Sequence, residues 1–239
     1  MTPGRAVAFP GPDRRRHYAP IVDATTWFII ALVALLLGVV LLVADRVRAR
    51  GGDRDRRRWA ELRGWEFLEN DPVLPSRWRY GTIHQGGPGI ARDLISGEVP
   101  TPDGPRQGYA FDHEQAGRVG SVVAAVQLKT QLAGAVELRL PSARRPDEEG
   151  GLDLLEQVGD RWAFVADAAA VRPLLTEGLA AAGDALGEDV EVLWAEDSWV
   201  LATAPVGSPP ERVQDLLADL AEVATALEQA QDARRHSHQ

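Results

Sequence analysis

Residues 24–44, ATTWFIIALVALLLGVVLLVA, carry no charge, and from Trp27 onward nothing is more polar than Gly38. As a helix rising about 1.5 Å per residue, this stretch covers roughly 30 Å, the thickness of a bilayer's hydrocarbon core. A helix apolar on every face has no side to turn to water, so one transmembrane helix is expected over 24–44 instead of a buried core helix. Trp27 is then expected at one headgroup level. Residues 1–23 are expected to be a disordered N-terminal segment.

A cleaved export signal is the rival reading, because Arg14, Arg15 and Arg16 precede the apolar run. The run is longer than a signal core and passes straight into DRVRARGGDRDRRR with no small-x-small cleavage site. Arginines directly after an apolar segment stop transfer, so the helix is expected to stay as a single-pass signal-anchor. Seven arginines between Arg46 and Arg58 face four on the N-terminal flank. By the positive-inside rule the C-terminal domain is expected to be cytoplasmic and the protein to sit in the cell membrane.

Charge divides the chain. Residues 1–63 hold 12 arginines against six acids, and residues 64–239 hold 14 basic side chains against 29 acids. The basic part, a juxtamembrane linker with a short helix over 45–63, suits anionic headgroups at about 1 kcal/mol per cation. Its membrane-interface candidates are Arg46, Arg48, Arg50, Arg56, Arg57, Arg58 and Trp59, with Trp27 at the other end of the span. Trp59 and Leu62 stand three apart on that short helix, and packing on the following domain is the alternative to headgroup contact. The acidic body excludes a nucleic-acid partner, which would require a clustered basic face.

Beyond Gly64 an acidic α+β domain is expected over 64–231, with a polar loop at 142–151 and a disordered tail at 232–239. WEFLE reads as a strand, and DPVLPSRW as a turn with an irregular helical piece. IARDLISGEV and RQGYAFDHEQ flank PTPDGP as a hairpin, followed by strands at 121–129 and 135–141. In the latter, Val136, Leu138 and Leu140 alternate with Glu137 and Arg139, which predicts one solvated face. A strand at 161–166, an alanine-rich helical region interrupted by Pro173, and a hairpin about Asp197 and Ser198 come next. Ser208 to Glu211 read as a capping box for a C-terminal amphipathic helix with a stripe from Val213 to Leu227. The fold class is therefore α+β, with mainly antiparallel sheet and a C-terminal amphipathic helix after one transmembrane helix.

The succession of apolar anchor, arginine run, WAELRGWEF, DPVLPSRW, ARDLISGEV and YAFDH resembles a family of single-pass membrane-anchored proteins of unknown function in high-GC Gram-positive bacteria. The resemblance covers nearly the whole chain from residue 25. It implies the architecture above and no catalytic residues.

Chemistry-bearing motifs are absent from the sequence. It has no G-x-S-x-G, no phosphate-binding loop ending in lysine, no H-E-x-x-H and no dinucleotide fingerprint. Without cysteine there is no thiolate metal site or cysteine nucleophile. Asp112, His113 and Glu114 are the one tight titratable cluster within an expected strand, where His113 points away from both acids and is expected half-exposed. Arg77 beside Asp71 reads as a structural ion pair. No catalytic, cofactor-binding or metal-binding residue is assigned, and no cofactor. The expected function is a membrane-tethered, non-enzymatic adaptor or scaffold with a protein partner. The alternatives are a hydrolase-like membrane-associated enzyme, which would need His113 or paired acids in a pocket, and an extracytoplasmic envelope domain. The oligomeric state stays open.

Overall fold

The computed structural model describes residues 27, 30–38, 55–83, 87–146 and 150–237. The chain divides into two units, 1–47 and 48–239. In the first, residues 30–38 are helical, with exposed side chains up to half-buried Gly38. Most of the span expected at 24–44 lies outside the described residues, and among those described no helix is long and apolar enough to cross a membrane. The N-terminal segment 1–23 lies outside them as well.

Among the described residues, the second unit is built on nine strands: β1 Glu66–Asp71, β2 Ile90–Val99, β3 Arg106–Gln115, β4 Arg118–Gln127, β5 Val136–Arg139, β6 Asp153–Val158, β7 Arg161–Val165, β8 Val192–Glu196 and β9 Trp199–Ala204. They form one sheet in the order β1-β2-β3-β4-β9-β8-β5-β7-β6, with every pairing antiparallel. The helices are α1 over 55–63, α2 Ala168–Val171, α3 Glu177–Ala185 and α4 Pro210–Ser237. The α+β class with a large antiparallel sheet and a closing helix is thus realised.

Both faces of this sheet are covered. On one, Val122, Ala124, Val126, Val200 and Ala202 meet the α4 stripe of Val213, Leu216, Leu217, Leu220, Val223, Ala224 and Leu227. That stripe recurs every three or four residues because α4 lays one side along the strands. On the other face, Phe111, Val123, Ala125, Trp194 and Leu201 are capped by Leu74, Trp78 and Ile83 from the segment between β1 and β2. Pro75 sits in the 3₁₀ turn Leu74–Arg77 that brings Trp78 down onto Phe111, the rings stacked at 6.1 Å.

The two-sided covering corrects the reading of β5. Its alternating polar residues are 2% exposed, and they face the second layer instead of water. Glu137 accepts the Gly81 N–H at 2.5 Å and the Arg139 Nε–H at 2.6 Å. One strand along, Glu196 accepts the backbone N–H of Arg79 at 2.9 Å and of Tyr80 at 3.1 Å, and the Trp194 indole N–H at 3.1 Å. These carboxylates satisfy the donors of an irregular segment buried on the sheet, which an apolar residue could not do. Gly81 has φ +69° with its Cα against the Trp194 ring, a position with no room for a side chain.

Other local expectations change too. Helix α1 belongs to the domain, so the folded unit begins before residue 64. Strand β6 went unseen in the sequence because it is an edge strand with only Val158 fully buried, and it has neither alternation nor an apolar run. Helix α4 continues through 232–237 of the expected tail, where Arg234 Nη1 donates to the Ala170 carbonyl at 3.1 Å. Residues 238 and 239 lie outside the described residues. The Ser208 hydroxyl bonds the Pro205 carbonyl at 2.7 Å in place of the expected capping box. Asp71 serves the backbone N–H groups of Val73 and Leu74 instead of Arg77.

Candidate functional site

The basic run ends in α1, whose periodicity divides its residues between fold and solvent. Arg56, Trp59 and Ala60 recur at the three- and four-residue spacing of one helix face, and all three are buried. Arg56 Nη1 lies 2.7 Å from Asp112 Oδ1 on β3. Trp59 is 7% exposed and meets Trp65 edge to face at 5.4 Å, and the Arg63 guanidinium stands 4.4 Å above its ring. Arg56 and Trp59, expected at the headgroups, are therefore part of the domain core. Leu62, expected to follow Trp59, is 75% exposed. The three-four spacing with Ala60 was the available signal, and the surrounding arginines obscured it.

The outward face of α1 keeps Arg57, Arg58 and Leu62 exposed. Arg57 lies over the Phe67 ring at 4.6 Å and pairs with Glu69 at 2.7 Å, an exposed bridge that contributes little to stability. Trp27 is exposed in the first unit, and Arg46, Arg48 and Arg50 lie outside the described residues.

Beside this face the chain forms a groove. Gly64, at φ +68°, ends α1 and turns the chain into β1, whose first paired residue, Glu66, sits opposite Ser96. Strand β2 continues past β1 through Gly97, Glu98 and Val99. The space so left holds about 490 Å³ and is lined by Arg63, Trp65, Glu66, Ser96, Glu98 and Gln107. Gly97, which pairs with Gly108 on β3, lines it as well. Trp65 lies against both, and a Cβ on Gly97 would fall inside the indole. The lining thus offers two carboxylates, a guanidinium, an amide, a hydroxyl and a half-buried indole.

The titratable groups of β3 and Glu196 are held by structural partners. His113 is 3% exposed, not half-exposed, because both faces of the sheet are covered. Its Nε2 is 2.9 Å from the Pro88 carbonyl, which makes Nε2 the protonated nitrogen, and burial holds the ring below the ordinary imidazole range. Asp112 pairs with Arg56, and Glu114 with Arg92. Burial pushes the Glu196 carboxyl upward, partly offset by the Arg79 and Tyr80 N–H groups. Among the described residues no three His, Asp or Glu side chains are grouped to hold a metal ion.

Residues 24–236 match the model of the family described as trehalose monomycolate transport factor TtfA. Trehalose monomycolate transport factor A of Mycolicibacterium smegmatis is 26% identical over 182 residues, which is 76% of this chain and 62% of that protein. The chain thus spans about three-fifths of the length of that curated relative. The crystal structure of the mycobacterial trehalose monomycolate transport factor A superposes with a TM-score of 0.65 at 24% identity, covering 74% of this chain and 95% of the other. At that identity the likeness establishes the fold. The family suggested by the sequence motifs is thereby corrected from one of unknown function to one described by a transport role. This chain belongs to the trehalose monomycolate transport factor TtfA family.

Proposed function

We propose that this protein is a non-enzymatic, membrane-tethered factor that supports transport of a trehalose-based mycolate ester in the cell envelope by docking on a protein partner. The family match over 24–236 carries this reading. The docking face is the outer side of α1 with Arg57, Arg58 and Leu62, continued by the groove edge at Glu66 and Glu98. Exposed arginines around a large apolar side chain are the composition of protein-binding surfaces. The apolar run at 24–44 supports a single-pass anchor, and the arginine balance supports a cytoplasmic domain. Because α1 follows the basic run directly in sequence, a membrane transporter is the kind of partner this reading assigns to it.

A photo-crosslinker at Arg58 or Leu62 of the full chain in native membranes tests this. One specific adduct with a membrane protein is expected, and Arg57→Glu with Arg58→Glu should remove it without unfolding the domain. Adducts to lipid alone would overturn the docking reading. A C-terminal reporter active only outside the membrane would overturn the cytoplasmic placement.

A further inference from the structure

We propose that the groove between α1 and the β1–β2 edge is a carbohydrate-binding subsite for a polyhydroxylated headgroup of about disaccharide size. The proposal rests on the reading of the chain as a glycolipid-transport factor and deepens it by naming what the domain itself recognises. Sugar hydroxyls are donors and acceptors at once, so a sugar site combines carboxylate acceptors, neutral groups that do both, and fixed donors. Glu66 and Glu98 supply the first, Ser96 and Gln107 the second, and Arg63 the third. Trp65 adds the apolar surface on which the C–H face of a pyranose packs.

The glycines beside the groove seat its indole. Gly97 and Gly108 face each other in adjacent strands, and strand-interior glycine weakens a sheet unless something approaches the backbone closely. Here Trp65 does so. Beside the seated indole about 490 Å³ stays available, within the roughly 300–1,000 Å³ range of small-ligand sites. An extended peptide fits less well, since the length of β2 beyond β1 is only Gly97, Glu98 and Val99. The two carboxylates disfavour a phosphate.

The test uses the full chain in phospholipid nanodiscs free of sugar detergent, titrated with trehalose and, in a second arm, with vesicles carrying a 6-O-acyl trehalose. Tryptophan fluorescence and saturation-transfer NMR report binding. A saturable response is expected near about 1 mM or tighter, weakened roughly tenfold by Glu66→Gln with Glu98→Gln. These exposed positions leave the Trp65 seat intact, and near-UV circular dichroism confirms it. Response to free trehalose identifies the sugar itself as ligand; response to the acylated vesicles alone identifies a membrane-borne headgroup. No saturable response in either arm, an unchanged response in the double variant, or binding of a basic peptide in place of sugar overturns the proposal. If the crosslinked partner at Arg58 persists while sugar binding is absent, the groove assignment fails and the docking reading stands. The converse result sinks docking alone.

Discussion

Arg56 Nη1 stands 2.7 Å from Asp112 Oδ1, with the arginine side chain 7% exposed and the aspartate 19%. This bond joins the helix at the end of the basic run to the third strand of the sheet, across 56 residues of sequence. Removing one partner leaves the other charge poorly solvated. Arg56→Ala is expected to destabilise the domain by about 2 kcal/mol, whereas Arg58→Ala should stay within about 0.5 kcal/mol. Denaturant unfolding of the two variants makes the comparison, and equal midpoints would place Arg56 outside the fold.

Trp59 answers a related question about lipid. Its ring is enclosed by Trp65, Arg63 and the α4 side of the core. In membranes containing brominated lipids, Trp59→Phe is expected to leave the absolute amount of tryptophan emission lost to quenching unchanged. Trp59→Ala should lower stability by about 3–5 kcal/mol by opening a cavity. A clear drop in quenching with Trp59→Phe would place the residue at the headgroups.

Gly81 combines a left-handed backbone with contact against the Trp194 ring. Gly81→Ala introduces both strain and a clash, for an expected loss of about 3 kcal/mol. Glu196→Ala should loosen the same segment by leaving the Arg79 and Tyr80 N–H groups unpaired. Hydrogen exchange across residues 78–83 reports it, and unchanged protection there would refute the role given to these carboxylates.

His113 makes stability depend on pH. Burial lowers its folded-state value, so below about pH 6.5 the unfolded chain takes up a proton that the folded chain resists. Stability attributable to His113 is therefore complete above that pH and declines as pH falls toward the depressed folded value. His113→Gln is expected to flatten the melting temperature between pH 7 and pH 5 relative to the parent chain. Identical slopes would show that other groups dominate this range.

Local patterns carried much of the fold. The PTPDGP turn set the β2–β3 hairpin, Asp197 and Ser198 set β8–β9, and the three-four spacing from Val213 to Leu227 set the inner face of α4. Each is decided by neighbours in sequence: a turn's backbone, a strand's period, a helix's stripe. Strand β6 was not legible because an edge strand needs neither alternation nor strong apolarity. The burial of Glu137, Arg139 and His113 was not legible either, since alternation gives which residues share a face and not whether that face is covered.

The sequence by itself determined the long apolar stretch, the charge division between the two parts of the chain, and the antiparallel α+β class, because these depend on composition and short-range period. Only the tertiary structure decided that residues 72–83 fold over the second face of the sheet and turn its charged residues into internal acceptors. It alone carried Arg56 and Trp59 out of the basic run and into the core, and opened a groove where β2 outruns β1. Those outcomes depend on contacts between segments distant in sequence, such as Arg56 with Asp112 and Gly81 with Glu137. No local pattern encodes which segment will arrive.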